Sequence, residues 1–413
     1  MIELKNLSEV ERCVIGSQCR KFFLTYNKYK TCIKIFNKLK DELNLTKAHD
    51  KELWVVINCA AKAFKQGVNG SEFSLSAPVY KKANEEHRLK LSHIRSAKVI
   101  HKLDELGYLI YYKGYGTPVE GSSNWMRSCI FFTDKLQDMF TDKVLSKIKS
   151  EIEPTQLVEI RCSKTKECIL SYSKIKGVVP RRSFMFEYNG VLREHEITLF
   201  GKRCYVEYKQ VFHDSLEGSG RIYTFGKFQT NKSELRQFIE IDGEATTEVD
   251  LSNLHISILR VIQGLPPVNT FFDQYGIEGY PRDVCKAAIM CMINCKTERG
   301  SSQALRNICK DSDWDYTEVQ CADIVAKLKR HNSPVIFFGK DSSDWKTLQR
   351  LDSMLCEFII GKFIKEGMRE AILSYHDSWV VKKSLQSYLI ESIKMAWKYV
   401  MKVDYDCKVK VEF

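Results

Sequence analysis

The sequence predicts an α+β protein, and three observations carry that prediction. The first 140 or so residues read mostly as helices closed by one short pair of strands. From about residue 202 onward strands alternate with longer helices. No stretch of the 413 residues approaches the roughly eighteen apolar residues of a membrane span.

Composition narrows the function classes. Apolar residues make up 44% of the chain, ordinary for a globular protein with real cores. The opening "MIELKNLSEVERCVIGS" carries acidic residues where a signal peptide would be basic and then greasy, so a cytoplasmic protein without membrane partners is expected. The 15 cysteines are odd in number and contain no C-x2-C pair, which favours reduced, mostly buried thiols over zinc or disulfides. A formal charge of +12 attracts polyanions, nucleic acid first among them.

In chain order, residues 1–45 read as a helical segment, with apolar residues at helical spacing in "RCVIGSQCRKFFLTYNKYKTCIKIFNKLKDEL". Residues 46–145 form the next unit. "KELWVVINCAAKAF" is a helix, Ser74–Ala83 leads to a second, and Ser92 caps a third that ends near Gly107. "YLIYYKG" and "WMRSCIFFTDKL" then alternate as two strands around the loop "YGTPVEGSSNW". Helix, turn, helix and a two-stranded wing resembles a winged helix-turn-helix domain. That resemblance implies DNA contact by His93, Arg95, Lys98 and Lys102 on the third helix, with Lys113 of the wing near phosphate. A winged unit used for protein contacts stays open as the alternative. Residues 146–200 are a connecting region of strand-like and loop segments.

Residues 201–413 hold the candidate chemistry. Asp250, in "TEVDLSNLHISIL", sits where a strand gives way to a helix. It is read either as a helix cap or as a metal ligand on a rigid element. In "YPRDVCKAAIMCMINCK" Pro281 opens a helix and places Arg282 and Lys286 on one face. Two cations at a helix N-terminus oppose its dipole unless an anion docks there. Met290 and Asn294 continue that stripe. "GSGRIYTFG" places Arg221 beside glycine at a strand entry. Leu348–Lys365 reads as a long helix leading to "ILSYHDSWVV", two strands whose turn carries His376, Asp377 and Ser378. Glu248 lies two residues before Asp250, on the same strand face, and is expected on solvated surface, with support of a metal as the less favoured alternative.

Taken in order, G-R-x-Y at 220–223, the junction Asp250, R-x3-K at 282–286 and H-D-S at 376–378 form a set. It resembles the polymerase domain shared by family A DNA polymerases and the single-subunit RNA polymerases of phage and mitochondria. The resemblance implies a right-hand palm and fingers, the fingers at about 266–345. It implies Asp250 and Asp377 as catalytic carboxylates holding two magnesium ions (or manganese), with the Leu251 carbonyl as a further ligand. Lys286 would act at the reacting phosphate. Arg282, Lys286, Met290, Asn294 and His255 would bind the nucleotide, and Arg221, His376 and Ser378 the template or primer. DNA template or primer-template and nucleoside triphosphates are the implied partners. Asn294-Cys295 replaces the family's Tyr-Gly, and His255 stands where the DNA polymerases place a Glu, so ribo- and deoxynucleotides both remain open. The expected role is a template-dependent polymerase, primase-like or DNA-synthesising, in replication of a mobile element or prophage. Two alternatives stand beside it: a non-catalytic initiator or transcription regulator with a degenerate polymerase half, and a two-metal nuclease, for which no further carboxylate cluster is evident.

Overall fold

The computed structural model describes residues 2–20, 28–87, 89–116, 126–149, 156–165, 167–169, 175–268, 272–312, 314–338, 345–365 and 367–413. They divide into two compact units, each assembled from three chain segments. Residues 1–153, 192–208 and 224–245 make the first, and 154–191, 209–223 and 246–413 the second. Both mix helices with sheets, an α+β architecture. Among the described residues no helix is long and apolar enough to cross a membrane.

In the first unit the Asp50–Lys65 helix is the hub. It buries nearly its whole length, from Leu53 to Phe64, with Trp54 stacked on Phe36 at 4.7 Å. Each such large apolar side chain contributes about 1.5–3 kcal/mol on burial. The Ala77–His87 helix follows, and then the His93–Glu105 helix, whose first turn is capped by Ser92 accepting from the Arg95 N–H. Gly107 closes that helix at φ +73°, a backbone shape that costs glycine least. Val99, Ile100 and Leu103 face the core. Leu109–Lys113 then pairs antiparallel with Cys129–Phe132, which also pairs with Gly70–Glu72 from between the first two of those helices. The expected loop tip, residues 117–125, lies outside the described residues.

In the second unit the strand Glu244–Leu251 is central. Ser378–Lys382 pairs with it on one side, Asp250 opposite Ser378, and Val409–Val411 on the other. Leu373–Tyr375 completes the hairpin next to Ser378–Lys382. The Leu254–Ile262, Arg282–Asn294, Trp345–Ile364 and Gln386–Met401 helices bury their apolar faces in this unit. The Val178–Glu194 helix occupies part of the stretch that the sequence leaves unassigned. Pro180 and Gly190 within it weaken its local signature. What holds it is tertiary: Tyr188, fully buried, donates its hydroxyl to the Ile372 carbonyl at 2.7 Å.

Candidate active site

Two carboxylates meet because of strand register. Asp250 is the penultimate residue of Glu244–Leu251, and Asp377 sits in the two-residue turn between the hairpin strands. His376 takes φ +65°, left-handed space that histidine enters more readily than most residues, and so closes that turn. The Leu251 N–H then donates to the Asp377 carbonyl at 3.0 Å, locking the turn against the end of the central strand. Asp250, Leu251 and Asp377 all line one open cleft of about 580 Å³. Burial, and next the Asp377 charge, push the Asp250 carboxyl up to about 7. Two acids thus share a space with too little counter-charge.

The opposite wall is basic. Arg282, Lys286 and Met290, at i, i+4 and i+8 of the Arg282–Asn294 helix, line the cleft together. Arg282 is held by Asp273 through both carboxylate oxygens, Nε at 2.9 Å and Nη2 at 3.3 Å, and its guanidinium lies over the Tyr275 ring at 5.1 Å. Lys286 reaches into the cleft, where its charge lowers the Asp250 carboxyl in opposition to Asp377. Asn294 does not line the cleft. It is exposed and turns back to donate to the Met290 carbonyl at 2.7 Å.

Behind the carboxylates lies a buried relay. Arg221 donates Nε to one oxygen of Asp352 at 2.9 Å and its Nη2 ion-pairs with the same oxygen at 2.8 Å; Asp352 is 2% exposed on the Trp345–Ile364 helix. The same Nη2 donates to His255 Nε2 at 3.1 Å. A guanidinium only donates, so His255 must present a lone pair and is neutral. Burial, reinforced by the Arg221 charge, holds that imidazole down at about 4, which agrees. The 4.0 Å approach of His255 to Asp352 is accordingly no ion pair. His255 lines the cleft, while Arg221 is a half-buried bracket behind it.

The rest of G-R-x-Y is scaffold as well. Gly220 adopts φ +93°, and a Cβ there would meet Phe212 at 2.7 Å. Tyr223 packs edge-on against His376 at 5.4 Å, supporting the turn that carries Asp377.

Two polar expectations change. Glu248 is buried, 3% exposed, and not on solvated surface. Alternation along the strand assigns it to one face of the sheet, and that face is covered there, so its position does not lead to water. Ser378 is also buried and donates its hydroxyl to Glu248 at 2.5 Å, a bond between the two paired strands.

In the first unit the basic helix is largely committed to internal partners. Arg95 ion-pairs with Glu52, a carboxylate with no side-chain exposure, at 3.0 Å. Lys102 donates to the Leu43 carbonyl at 2.5 Å. His93 meets the Tyr80 ring at 6.3 Å, and Lys113 reaches Glu3 at 3.5 Å. Lys98 is exposed, in line with the 69%-exposed Ile94 on the outer face.

Several cleft residues escape the sequence reading: Asp273, Tyr275, Lys408, Lys410 and Glu412. Glu412 raises the Asp250 carboxyl further, and Lys410 pairs with it at 2.8 Å. Of the residues behind the cleft, Asp352 had a legible signal: it interrupts the apolar stripe Leu348, Leu355, Cys356, Ile359. The end-strand residues had none, since a short alternating tail looks the same wherever it pairs.

Among the described residues no three His, Cys, Asp or Glu side chains gather into a ready-made metal cage. What the cleft does bring together is the two carboxylates of Asp250 and Asp377. Those are hard oxygens, and they suit magnesium, which keeps much of its shell as water and phosphate oxygen.

Neither a protein-family model nor a curated protein matches this chain. Among solved structures it is similar to the POL domain of Pol1 from M. smegmatis, determined in complex with DNA primer-template and dNTP, at 13% identity and a TM-score of 0.31. The match covers 92% of this chain and 65% of that one. A likeness at that score decides nothing about fold or function, which rest on the chain's own residues.

Proposed function

We propose that this chain is a template-dependent nucleotidyltransferase, with the second unit serving as a palm and fingers of the family A and single-subunit RNA polymerase kind. One observation carries the reading: Asp250 and Asp377, far apart in sequence, share a cleft whose facing wall is the Arg282/Lys286 face of a helix. Acids on one side and cations on the other suit a nucleoside triphosphate lying between a metal-holding edge and a phosphate-holding edge. Asp250 and Asp377, with the Leu251 carbonyl, would hold magnesium, which when bound activates a primer 3′-hydroxyl and offsets charge on departing pyrophosphate.

The chain's own residues do the rest. Arg282, already oriented by Asp273, offers a planar fork to the outer phosphates. Lys286 stands where it can offset charge at the reacting phosphate or donate a proton to the leaving group. Neutral His255, aimed by Arg221, presents an uncharged group at the sugar side, where ribo- or deoxynucleotide selection would be made. The first unit would bind duplex DNA as a winged helix. Three helices, an intervening strand and a closing strand pair support this. Such a pairing suits a replication protein of a mobile element or prophage, working in a reducing cytoplasm where 15 free thiols persist.

A second reading, a non-catalytic initiator or regulator, draws on Asn294 lying outside the cleft, where the family's sugar-selecting helix position is altered. Extension of labelled nucleotide on single-stranded DNA, with and without primer, separates the two. Primer-free products from ribonucleotides make it a primase-like RNA polymerase, and primer-dependent products from deoxynucleotides a small DNA polymerase. Tight DNA binding with no product under any condition would shift the reading to the regulator.

A further inference from the structure

A strained aromatic turn lies wholly in the first unit, at the hairpin of the Ile197–Leu199 and Lys202–Arg203 strands. Thr198 pairs with Arg203 and Leu199 with Lys202, so Phe200 and Gly201 form a two-residue turn. Both take positive φ, +51° and +68°. That is the pattern of a type I′ turn, whose first position favours Asn, Asp or Gly. A bulky aromatic residue there is an outlier, and its backbone is strained. Core burial does not offset the strain, because Phe200 is 38% exposed. The Phe200 N–H donates to the Phe238 carbonyl at 3.3 Å, and the two rings stack at 4.6 Å with 26° between their planes. Phe238 is 46% exposed as well. The pair therefore offsets part of the strain and leaves two large apolar residues half in water.

The chain that follows the turn is basic. Gly201, Lys202 and Arg203 line a cavity of about 290 Å³ with the amides Gln18, Asn69 and Gln137, and among the described residues no carboxylate lines it. Arg203 lies against Gly67, where a Cβ would meet its Nε at 2.8 Å. It also lines a neighbouring cavity with Lys65 and Arg193. Those two are committed inward, Lys65 to the Ile148 carbonyl and Arg193 to the buried Glu207 carboxylate. Among the described residues Arg203 meets no acid but Glu196, at 3.8 Å with both side chains exposed, a pairing worth little. Lys202, also exposed, pairs with no carboxylate among them.

Exposed rings beside cations left for an outside anion are the parts of a strand-binding surface, rings for bases and cations for phosphates. Only unpaired bases can bring their faces to such rings, since duplex bases are stacked on one another. We propose that this hairpin binds single-stranded nucleic acid, with a base on the Phe200–Phe238 pair and adjoining phosphates at Lys202 and Arg203. The surface shares no residue with the carboxylate cleft or the His93–Glu105 helix, and it requires neither to be functional.

Anisotropy titrations of the full chain in magnesium-free buffer test this. The probes are a short labelled oligothymidylate, an abasic strand of the same length and a duplex of the same length. The oligothymidylate should bind more tightly than the abasic strand. Phe200→Asn suits the turn backbone and removes the ring. It should melt higher than the native protein yet bind the oligothymidylate about tenfold more weakly, the loss of one stacked base. Its duplex affinity should not change. Lys202→Gln should melt as the native protein does and lower the salt slope of strand binding by about 0.7, one phosphate contact. Native strand affinity in Phe200→Asn would overturn the proposal, as would an equal loss for duplex and strand, or a native salt slope in Lys202→Gln. Self-association of the native chain that Phe200→Asn abolishes, with strand binding intact, would assign the ring pair to a second copy and overturn it too. Nucleotide incorporation enters none of these readouts, so failure here leaves the catalytic reading standing.

Discussion

The carboxylate cleft and the helix at His93–Glu105 were both expected to present charged groups to a polyanion, and they differ in what became of those charges. At the cleft, Asp250, Asp377, Arg282, Lys286, Met290 and His255 converge from four chain segments onto one space. On the helix, Arg95 and Lys102 are committed to Glu52 and to the Leu43 carbonyl, and Lys98 is left on the outer face. The difference is clearest for the two carboxylates, since Arg282 in the cleft is held by Asp273 much as Arg95 is by Glu52. A strand end and a two-residue turn are fixed by ladder register, so their side chains have few choices. A long cation on a helix surface takes whatever carboxylate or carbonyl its neighbours offer. Charge in a sequence therefore reports polarity, whereas a charge at a register-fixed position reports a direction.

The sharpest break of this comparison is Asp250→Ala. It should reduce nucleotide incorporation by about a thousandfold or more while DNA affinity stays within about twofold, because removal of preorganised charge acts on the transition state. Extension assays run beside a binding titration check both halves. Lys286→Ala should slow incorporation by about a hundredfold, read as kcat under saturating nucleotide.

Next in size is Asp352→Ala, which leaves Arg221 without its buried counter-charge. Its cost should be about 3 kcal/mol in urea unfolding, from the penalty of breaking a buried pair. An Arg221 that instead contacted substrate would show as a raised KM with unchanged stability. Smallest are the helix variants. Lys98→Ala should weaken duplex binding a few-fold and lower the salt slope by about 0.9, one phosphate contact. Arg95→Ala should lower the melting temperature, since Glu52 would lose its cation, and its binding loss should follow unfolding.

How much of this was legible follows from the same contrast. The Asp250 junction, the R-x3-K face and the H-D-S turn could be read because each motif is short and local. The hairpin and the long helix before it were legible from apolar spacing. What brings them together is not local: Asp250 lies opposite Ser378, 128 positions further along the chain, and nothing in either segment states that register. Glu248 was misjudged for that reason too: alternation assigns it a face of the sheet, and only long-range packing buries that face. The Val178–Glu194 helix was hidden because Pro180 and Gly190 mask its propensity, while the Tyr188 bond to Ile372 that helps hold it is long-range. Asp352, a lone acid on an apolar stripe, could have been found and points to Arg221.

The central claim is that Asp377 is at the turn for chemistry and not for the turn itself. Asp377→Asn separates those roles, because asparagine keeps the size and the turn-forming side chain but not the charge. Nucleotide incorporation would be measured for this variant and the native protein at equal DNA occupancy in magnesium. Incorporation by the native chain with loss of nearly all of it in Asp377→Asn is the predicted result. Incorporation by Asp377→Asn at the native rate would contradict the account and reduce that carboxylate to a turn residue.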